Sequence, residues 1–252
     1  MTGPLFARIL TYGRMIKFSH SIFALPFALS GVVLASLRTD ITLRTIGWVV
    51  IAMVGARSAA MGFNRWADRK MDAENPRTAT RELPTGQLSA SAVLAFIALS
   101  SGILVLAAYQ LNALCFVLSP VALGIVFLYS LTKRFTWATQ FFLGLALSIA
   151  PIGAWIAVTG TLDSEILVLG AAVLLWVAGF DIIYATQDTE FDQRFGAYSI
   201  PQRFGIARAL WVSRILHVVA FGAMLLVGQV FDLGWVYHGG VVGIGLLLIY
   251  EH

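Results

Sequence analysis

The chain has 252 residues, of which 59% are hydrophobic and 12% are charged, and its mean hydropathy is +0.83. Soluble domains carry about 25% charged residues, so this composition excludes an ordinary soluble domain and indicates a membrane protein. The net charge of +4 comes from basic residues between apolar runs, which favours membrane orientation over nucleic-acid binding.

Eight apolar runs follow one another, each long enough to cross a hydrocarbon core of about 30 Å as a helix. We predict transmembrane helices over residues 18–37, 45–63, 90–109, 113–131, 138–158, 166–184, 207–228 and 234–250. Pro26, Pro120 and Pro151 fall within or near these spans and predict kinks. Since no linker separates the runs, we expect one all-α domain over residues 1–252, a transmembrane helix bundle around a central cavity.

Lys and Arg residues are distributed unequally between the two sides of these spans. Thirteen lie in the N-terminal segment and in the loops after the second, fourth and sixth spans, whereas only Arg38 and Arg44 lie on the other side. Because cytoplasmic loops carry an excess of positive charge, the N-terminus and those three loops are predicted to be cytoplasmic. The cavity is expected to open to that side of the inner (plasma) membrane.

An acidic motif follows the second predicted span. Asn64, Asp68 and Asp72 are four residues apart, so a helix would place their oxygen-bearing side chains on one face. Arg57 lies seven residues before Asn64, within the membrane, where an arginine is a functional candidate by default. A structural partnership with Asp181 is the alternative for Arg57.

A second acidic motif follows the sixth predicted span. Asp181, Tyr184, Asp188 and Asp192 recur at intervals of three and four residues and are predicted to share one helical face. The second and sixth spans run in the same direction. We therefore expect both motifs to converge on one cytoplasmic pocket.

Clustered carboxylates at the edge of the hydrocarbon repel one another and are costly to remove from water, so a bound cation would stabilise them. The candidate ligands are all oxygens, which favours Mg²⁺ over zinc or copper. Two such ions would bridge a diphosphate. Cations that could neutralise this diphosphate are Arg65, Arg69, Lys70, Arg77, Arg81, Lys133, Arg134 and Arg194. Solvated charge at helix ends is the alternative for each motif alone, and membrane anchoring is the alternative for Lys133 and Arg134.

Loss of diphosphate from an allylic substrate would leave a carbocation, which a dry apolar bundle can hold. This chemistry predicts an isoprenoid substrate that enters from the bilayer. A transporter is the alternative from another class, although its charges would be expected at mid-membrane depth on several helices. A membrane CDP-alcohol phosphotransferase is a further alternative, but neither motif shows its Asp-Gly followed by Ala-Arg.

The motifs resemble those of the UbiA superfamily of intramembrane aromatic prenyltransferases. The similar segments are residues 57–72 (RSAAMGFNRWADRKMD), 75–86 (NPRTATRELPTG), 129–136 (YSLTKRFT), 181–192 (DIIYATQDTEFD) and 199–205 (SIPQRFG). The resemblance implies that Asn64, Asp68 and Asp72 hold one Mg²⁺ and that Asp188 and Asp192 hold the other. It also implies diphosphate contacts, which we assign to Lys133, Arg134, Arg65, Arg69 and Tyr184. The implied catalytic residues are Asp68, Asp188, Asp181 and Arg57.

Within the superfamily, the pattern is most similar to the 4-hydroxybenzoate polyprenyltransferases of quinone biosynthesis. A dihydroxynaphthoate acceptor, used in menaquinone biosynthesis, is the alternative. The implied partners are a polyprenyl diphosphate, an aromatic acid and membrane lipid, without nucleic acid or an obligate protein partner. The family usually has nine helices and eight are predicted here, so the ninth is either absent or beyond the printed sequence.

Overall fold

Helices dominate the computed structural model, which describes residues 4–17 and 21–251 and contains no strand within those ranges. They are α1 (Pro4–Met15), α2 (Ser21–Ala35), α3 (Leu43–Glu74), α4 (Ala90–Leu111), α5 (Ala113–Thr132), α6 (Thr139–Thr159), α7 (Ser164–Ala185), α8 (Thr189–Phe195), α9 (Ile200–Phe204), α10 (Ile206–Val230) and α11 (Trp235–Glu251). A 3₁₀ turn over Thr186–Asp188 separates α7 from α8. The predicted all-α, multi-pass membrane fold is confirmed.

Six of the described helices are long and apolar enough to cross a membrane, and they match the second to seventh predicted spans. The first and eighth predicted spans correspond to the shorter apolar helices α2 and α11, of 15 and 17 residues. Residues 18–20 of the first predicted span lie outside the described residues. Pro26, Pro120 and Pro151 lie inside α2, α5 and α6.

The chain divides into two compact units, of which the first comprises Met1–Pro26 and Thr42–Leu131. Its main contact is between α3 and α4. At Gly55 the two backbones approach so closely that a Cβ atom would lie 2.9 Å from the Leu104 amide nitrogen and 3.1 Å from the Ser100 carbonyl oxygen. This contact fixes the axis of α3, which carries the first acidic motif.

A hydrophobic cluster in the same unit joins the end of α1, the end of the loop after α3, and α4. Its buried members are Met15, Ile16, Leu88, Val93 and Ile97. Phe63 and Trp66 of α3 pack against this cluster beside the acidic motif. The end of α1 and the loop after α3 are thereby held close to the motif.

The second unit comprises Phe27–Ile41 and Thr132–His252, and α7 packs there against both α6 and α10. Gly179 allows α10 to approach α7, since a Cβ atom at this position would lie 2.5 Å from the His217 ring. The Ser213 hydroxyl donates a hydrogen bond to the Gly179 carbonyl at 2.8 Å, and His217 Nε2 lies 3.2 Å from the Trp176 carbonyl oxygen. The C-terminal half of α7 is therefore a fixed support for the second motif.

Replacement of Gly55 by alanine tests the close contact between α3 and α4. We expect Gly55→Ala to destabilise the protein by about 1–3 kcal/mol, because the new methyl group would collide with backbone atoms. Gly102→Ala is the matched control on α4, since nothing lies within 4 Å of its Cβ position. Thermal unfolding in detergent measures both variants, and equal melting temperatures would contradict the proposed contact.

Candidate functional site

The first acidic motif lies on consecutive turns of α3, as the residue spacing predicts. Asp68 and Asp72 are only 2% and 6% exposed, and Asn64 is half-buried. The Asn64 side-chain amide donates a hydrogen bond from Nδ2 to Asp68 Oδ2 at 3.2 Å. Two carboxylates are thus buried near the C-terminal end of a helix, where the helix dipole disfavours negative charge. This arrangement requires positive charge close by.

Arg81 supplies part of that positive charge. Its Nη1 lies 2.6 Å from Asp72 Oδ1 in a half-buried ion pair. The other carboxylate oxygen, Asp72 Oδ2, is buried and has no hydrogen-bond partner among the described residues. Asp72 therefore has one neutralised oxygen and one oxygen that remains available to a cation.

The loop after α3 brings Arg81 back to the helix. Asn75 ends α3, and its side-chain Oδ1 accepts a hydrogen bond from the Arg77 amide at 2.9 Å. The Asn75 carbonyl oxygen accepts from the amides of Thr78 and Ala79, at 2.9 and 2.8 Å. The Thr78 hydroxyl then donates to the Asp72 carbonyl oxygen at 3.0 Å. These bonds fold residues 75–81 back onto the last turn of α3.

The sequence placed Arg81 among several basic loop residues and did not pair it with Asp72. Eight residues lie between Asp72 and Arg81 in the sequence and include a turn, so no helical spacing relates the two side chains. The useful signal was the segment Asn75-Pro76, which begins three residues after Asp72, because both residue types favour turns.

Arg65 and Arg69, which were assigned to diphosphate binding, both have contacts within the first unit. Arg65 is 5% exposed, donates from Nε to the Met15 carbonyl oxygen at 3.2 Å and interacts electrostatically with Asp68 and Asp72. Arg69 donates to the Trp66 carbonyl oxygen at 2.7 Å and lies 4.9 Å from the centre of the Trp66 ring. Arg65 is thus a link between α1 and the acidic motif, and its diphosphate role stays a prediction.

Arg57 is half-buried on α3, seven residues before Asn64. Its Nε is buried and has no hydrogen-bond partner among the described residues. A guanidinium in this position lacks part of the hydrogen bonding that water would provide.

The second motif differs from the prediction in its backbone. Residues 181–192 do not form one regular α-helix, because α7 ends at Ala185 and a 3₁₀ turn precedes α8. The shared face of the four side chains stays a prediction. The Thr186 hydroxyl donates to the Ile183 carbonyl oxygen at 2.7 Å, and the Thr189 hydroxyl donates to the Thr186 carbonyl oxygen at 3.0 Å. Such side-chain bonds compete with regular helical bonding and accompany the tighter turn. Asp188 closes this turn, so its direction is not set by the helical spacing from Asp181.

Lys133 and Asp192 are hydrogen-bonded to two consecutive residues of the second unit, Tyr198 and Ser199. The Tyr198 amide donates to the Lys133 carbonyl oxygen at 2.7 Å, and the Ser199 hydroxyl donates to Asp192 Oδ2 at 3.2 Å. Lys133 also interacts electrostatically with Asp181. The structure thus groups an acidic motif with the predicted diphosphate lysine.

The remaining predicted residues of this unit are more exposed. Arg134 is exposed, and Tyr184 is 41% exposed at the end of α7. Their assignment to diphosphate binding stays a prediction.

The residues of the first motif fit a magnesium ion. In the part of the chain that the structure describes, no three or more His, Cys, Asp or Glu residues form a metal cluster. Mg²⁺ does not need such a cluster, since it takes one or two carboxylates and fills its other positions with water and substrate phosphate. Asp68, Asp72 and the Asn64 amide oxygen provide this donor set, with Asp72 Oδ2 already lacking a donor. Asp188 and Asp192 provide two further carboxylates of the same type.

A separate polar cavity of about 530 Å³ lies at the opposite end of α7 from the second motif. Arg38 forms an ion pair with Glu165 at 2.6 Å. Hydrogen bonds from Thr161 and from the Trp155 indole, each of 2.8 Å, hold the pKa of Asp163 below its usual range. The charged groups of this cavity already have partners within it, and the sequence pattern did not single them out.

Replacement of Arg65 by glutamine tests its structural role. We expect Arg65→Gln to destabilise the protein by about 2–4 kcal/mol, because the Met15 carbonyl and two buried carboxylates lose a cationic partner. Lys70→Gln removes the same charge from an exposed position of the same helix and should change stability by about 0.5 kcal/mol or less. Thermal unfolding in detergent compares the variants, and an undiminished melting temperature for Arg65→Gln would contradict this role.

Comparison with known proteins gives consistent matches. The model of the UbiA prenyltransferase family matches residues 24–252. A 4-hydroxybenzoate octaprenyltransferase of Pseudomonas fluorescens (strain Pf0-1) is 35% identical over 193 residues, which are 77% of this chain and 65% of that protein. The chain therefore aligns with slightly less than two thirds of that relative's length.

Solved structures show the same fold. The apo structure of a UbiA homolog from Aeropyrum pernix K1 has 34% identity and a TM-score of 0.87, covering 92% of this chain and 86% of that chain. A UbiA homolog from Archaeoglobus fulgidus, bound to GPP and Mg²⁺, has 19% identity and a TM-score of 0.72, covering 96% of this chain and 84% of that chain. The matched family model is that of a prenyltransferase family. The chain belongs to the UbiA prenyltransferase family, as its motifs predicted.

Proposed function

We propose that this chain transfers a polyprenyl group from a polyprenyl diphosphate to an aromatic acid, with 4-hydroxybenzoate as the favoured acceptor, in quinone biosynthesis. The observation that carries the proposal is the pair of almost fully buried carboxylates, Asp68 and Asp72, in an oxygen-only motif within the segment that the family model matches. The relative from Pseudomonas fluorescens, a 4-hydroxybenzoate octaprenyltransferase, supports the choice of acceptor.

The acidic motifs are proposed to hold divalent metal. Asn64, Asp68 and Asp72 would hold one Mg²⁺, and Asp188 and Asp192 would hold a second. When bound, Mg²⁺ neutralises charge on the departing diphosphate. The UbiA homolog from Archaeoglobus fulgidus that was solved with GPP and Mg²⁺ supports divalent metal use in this fold.

Basic side chains are proposed to bind the diphosphate and hold it for departure. Lys133 is the first candidate, because the Tyr198 amide holds its backbone within the second unit and its charge interacts with Asp181. Arg134, Tyr184, Arg65 and Arg69 are the other candidates. A fixed cation near the leaving oxygen lowers the barrier, since negative charge develops there as the carbon–oxygen bond breaks.

Arg57 is proposed to bind the carboxylate of the aromatic acid. Its buried Nε lacks a hydrogen-bond partner among the described residues, and a carboxylate would supply an acceptor and an opposite charge. In the reaction, the allylic carbon–oxygen bond breaks and a carbon–carbon bond forms beside the acceptor hydroxyl. The displaced ring proton and the diphosphate are the other products.

The proposed membrane arrangement follows the charge distribution. Thirteen Lys and Arg residues on one side against two on the other favour a cytoplasmic N-terminus and cytoplasmic motif loops in the inner membrane. We propose that residues 1–252 act as a single prenyltransferase domain, with a lipid-soluble prenyl donor reaching it from the bilayer.

Product formation by the purified protein tests the proposed function. With geranyl diphosphate and 4-hydroxybenzoate, we expect prenylated product with Mg²⁺ and none with EDTA. Asp68→Asn and Asp188→Asn should each lower turnover about 100-fold or more, because a metal ligand loses its charge. Asp232→Asn is the matched control, since Asp232 is an exposed carboxylate between α10 and α11.

The same assay separates the two acceptors. Faster prenylation of 1,4-dihydroxy-2-naphthoate than of 4-hydroxybenzoate would favour the menaquinone alternative and leave the reaction type unchanged. Product that forms equally well in EDTA, or an unaltered rate in both aspartate variants, would contradict the metal-assisted mechanism.

A further inference from the structure

We propose that Arg81 couples cation binding at the first motif to the presence of a diphosphate. In this proposal, Arg81 is paired with Asp72 in the substrate-free protein and weakens Mg²⁺ binding to that carboxylate. The weakening ends when a diphosphate binds, because this anion can pair with both Arg81 and Mg²⁺. The inference rests on the proposed function, in which Asp72 is a metal ligand.

The geometry places Arg81 in direct competition with a metal ion. Its guanidinium lies 2.6 Å from Asp72 Oδ1, and the only other oxygen of that carboxylate is the buried Oδ2. A cation at Oδ2 would therefore sit within a few ångströms of a permanent positive charge. Like charges at that separation repel strongly in a half-buried site.

The loop holds Arg81 in this place by bonds that do not involve metal. The Arg81 amide donates to the Thr78 carbonyl oxygen at 3.0 Å, and the Thr78 hydroxyl donates to the Asp72 carbonyl oxygen at 3.0 Å. The Thr85 and Leu88 amides then bond to the Arg81 and Glu82 carbonyl oxygens, at 3.1 and 3.0 Å. The backbone of residue 81 is thus fixed, whereas its long side chain can exchange one anion for another.

A diphosphate is the anion whose chemistry suits this exchange. It carries several negative charges and can bridge a metal ion and an arginine, which binds phosphate oxygens through two parallel N–H donors. The attraction of Arg81 and of the metal ion to the same diphosphate would then outweigh the repulsion between the two cations. Cation and diphosphate would bind cooperatively, and each would raise the affinity of the other by the same factor.

This proposal predicts that one variant, Arg81→Gln, binds a metal ion more tightly and a diphosphate more weakly. Arg81→Gln should bind Mn²⁺, a paramagnetic substitute for Mg²⁺, about tenfold more tightly in the absence of diphosphate, because the competing charge is gone. The same variant should bind the unreactive geranyl thiolodiphosphate about tenfold more weakly at saturating Mg²⁺. A purely structural role for Arg81 would instead weaken both.

The first measurement uses Mn²⁺ alone, with free Mn²⁺ counted by electron paramagnetic resonance. The protein carries Asp188→Asn and Asp192→Asn, so that the first motif alone is measured. Arg44→Gln is the matched control, because it removes the same charge from an exposed position at the N-terminal end of α3 and should leave Mn²⁺ affinity within about twofold. Arg81→Lys, which keeps the charge, should retain weak Mn²⁺ binding. Arg81→Met, a second neutral variant, should reproduce the gain in affinity if Arg81→Gln folds poorly.

The second measurement is equilibrium binding of radiolabelled geranyl thiolodiphosphate with Mg²⁺, without the two asparagine substitutions. Tighter Mn²⁺ binding together with weaker analogue binding in Arg81→Gln supports the proposal. Unchanged or weaker Mn²⁺ binding overturns it, provided that Asp72→Asn lowers Mn²⁺ affinity. If Asp72→Asn leaves Mn²⁺ affinity unchanged, the metal assignment of the first motif fails, which is a failure of the proposed function itself.

Discussion

Two carboxylates buried at the C-terminal end of α3 determine the arrangement of the chain around them. Asp68 and Asp72 are shielded from water, and the helix dipole adds partial negative charge at the same end. Isolated buried charges of this kind are strongly unfavourable, so the surrounding chain must supply cations or donors. Arg81 from the following loop and Arg65 from the same helix supply them.

The need to neutralise Asp68 and Asp72 also determines where uncharged segments of the first unit lie. Because Arg65 donates to the Met15 carbonyl, the end of α1 is tied to the acidic motif. Met15 and Leu88 belong to one buried cluster, so the loop that carries Arg81 is anchored at its far end by apolar packing. Hydrophobic burial and charge neutralisation therefore stabilise the same local arrangement, and a change in either would disturb both.

The sequence predicted those features that depend on local periodicity. Apolar length located the helices, and spacing of four residues placed Asn64, Asp68 and Asp72 correctly on α3, which continues as far as Glu74. The predicted sixth span ended at residue 184, close to the end of α7, but the 3₁₀ turn that follows was not predicted, because the hydroxyls of Thr186 and Thr189 bond to the backbone in a way that spacing does not reveal. The partnership of Asp72 with Arg81 was missed because it depends on a turn at Asn75 and not on a helical repeat.

Burial decides which of the ion pairs in this chain matter for stability. Arg38 and Glu165 are as close as Arg81 and Asp72, at 2.6 Å, but their side chains are 53% and 37% exposed, against 23% and 9% for the second pair. An exposed pair contributes about 0–1 kcal/mol, whereas loss of one partner from a buried pair costs about 3–5 kcal/mol. The half-buried Arg81 lies between these limits and is partly accessible to solvent, so it can neutralise Asp72 and still exchange it for another anion. A fully buried arginine would hold the carboxylate too firmly for a metal ion to compete, and a fully exposed one would leave the acidic motif uncompensated.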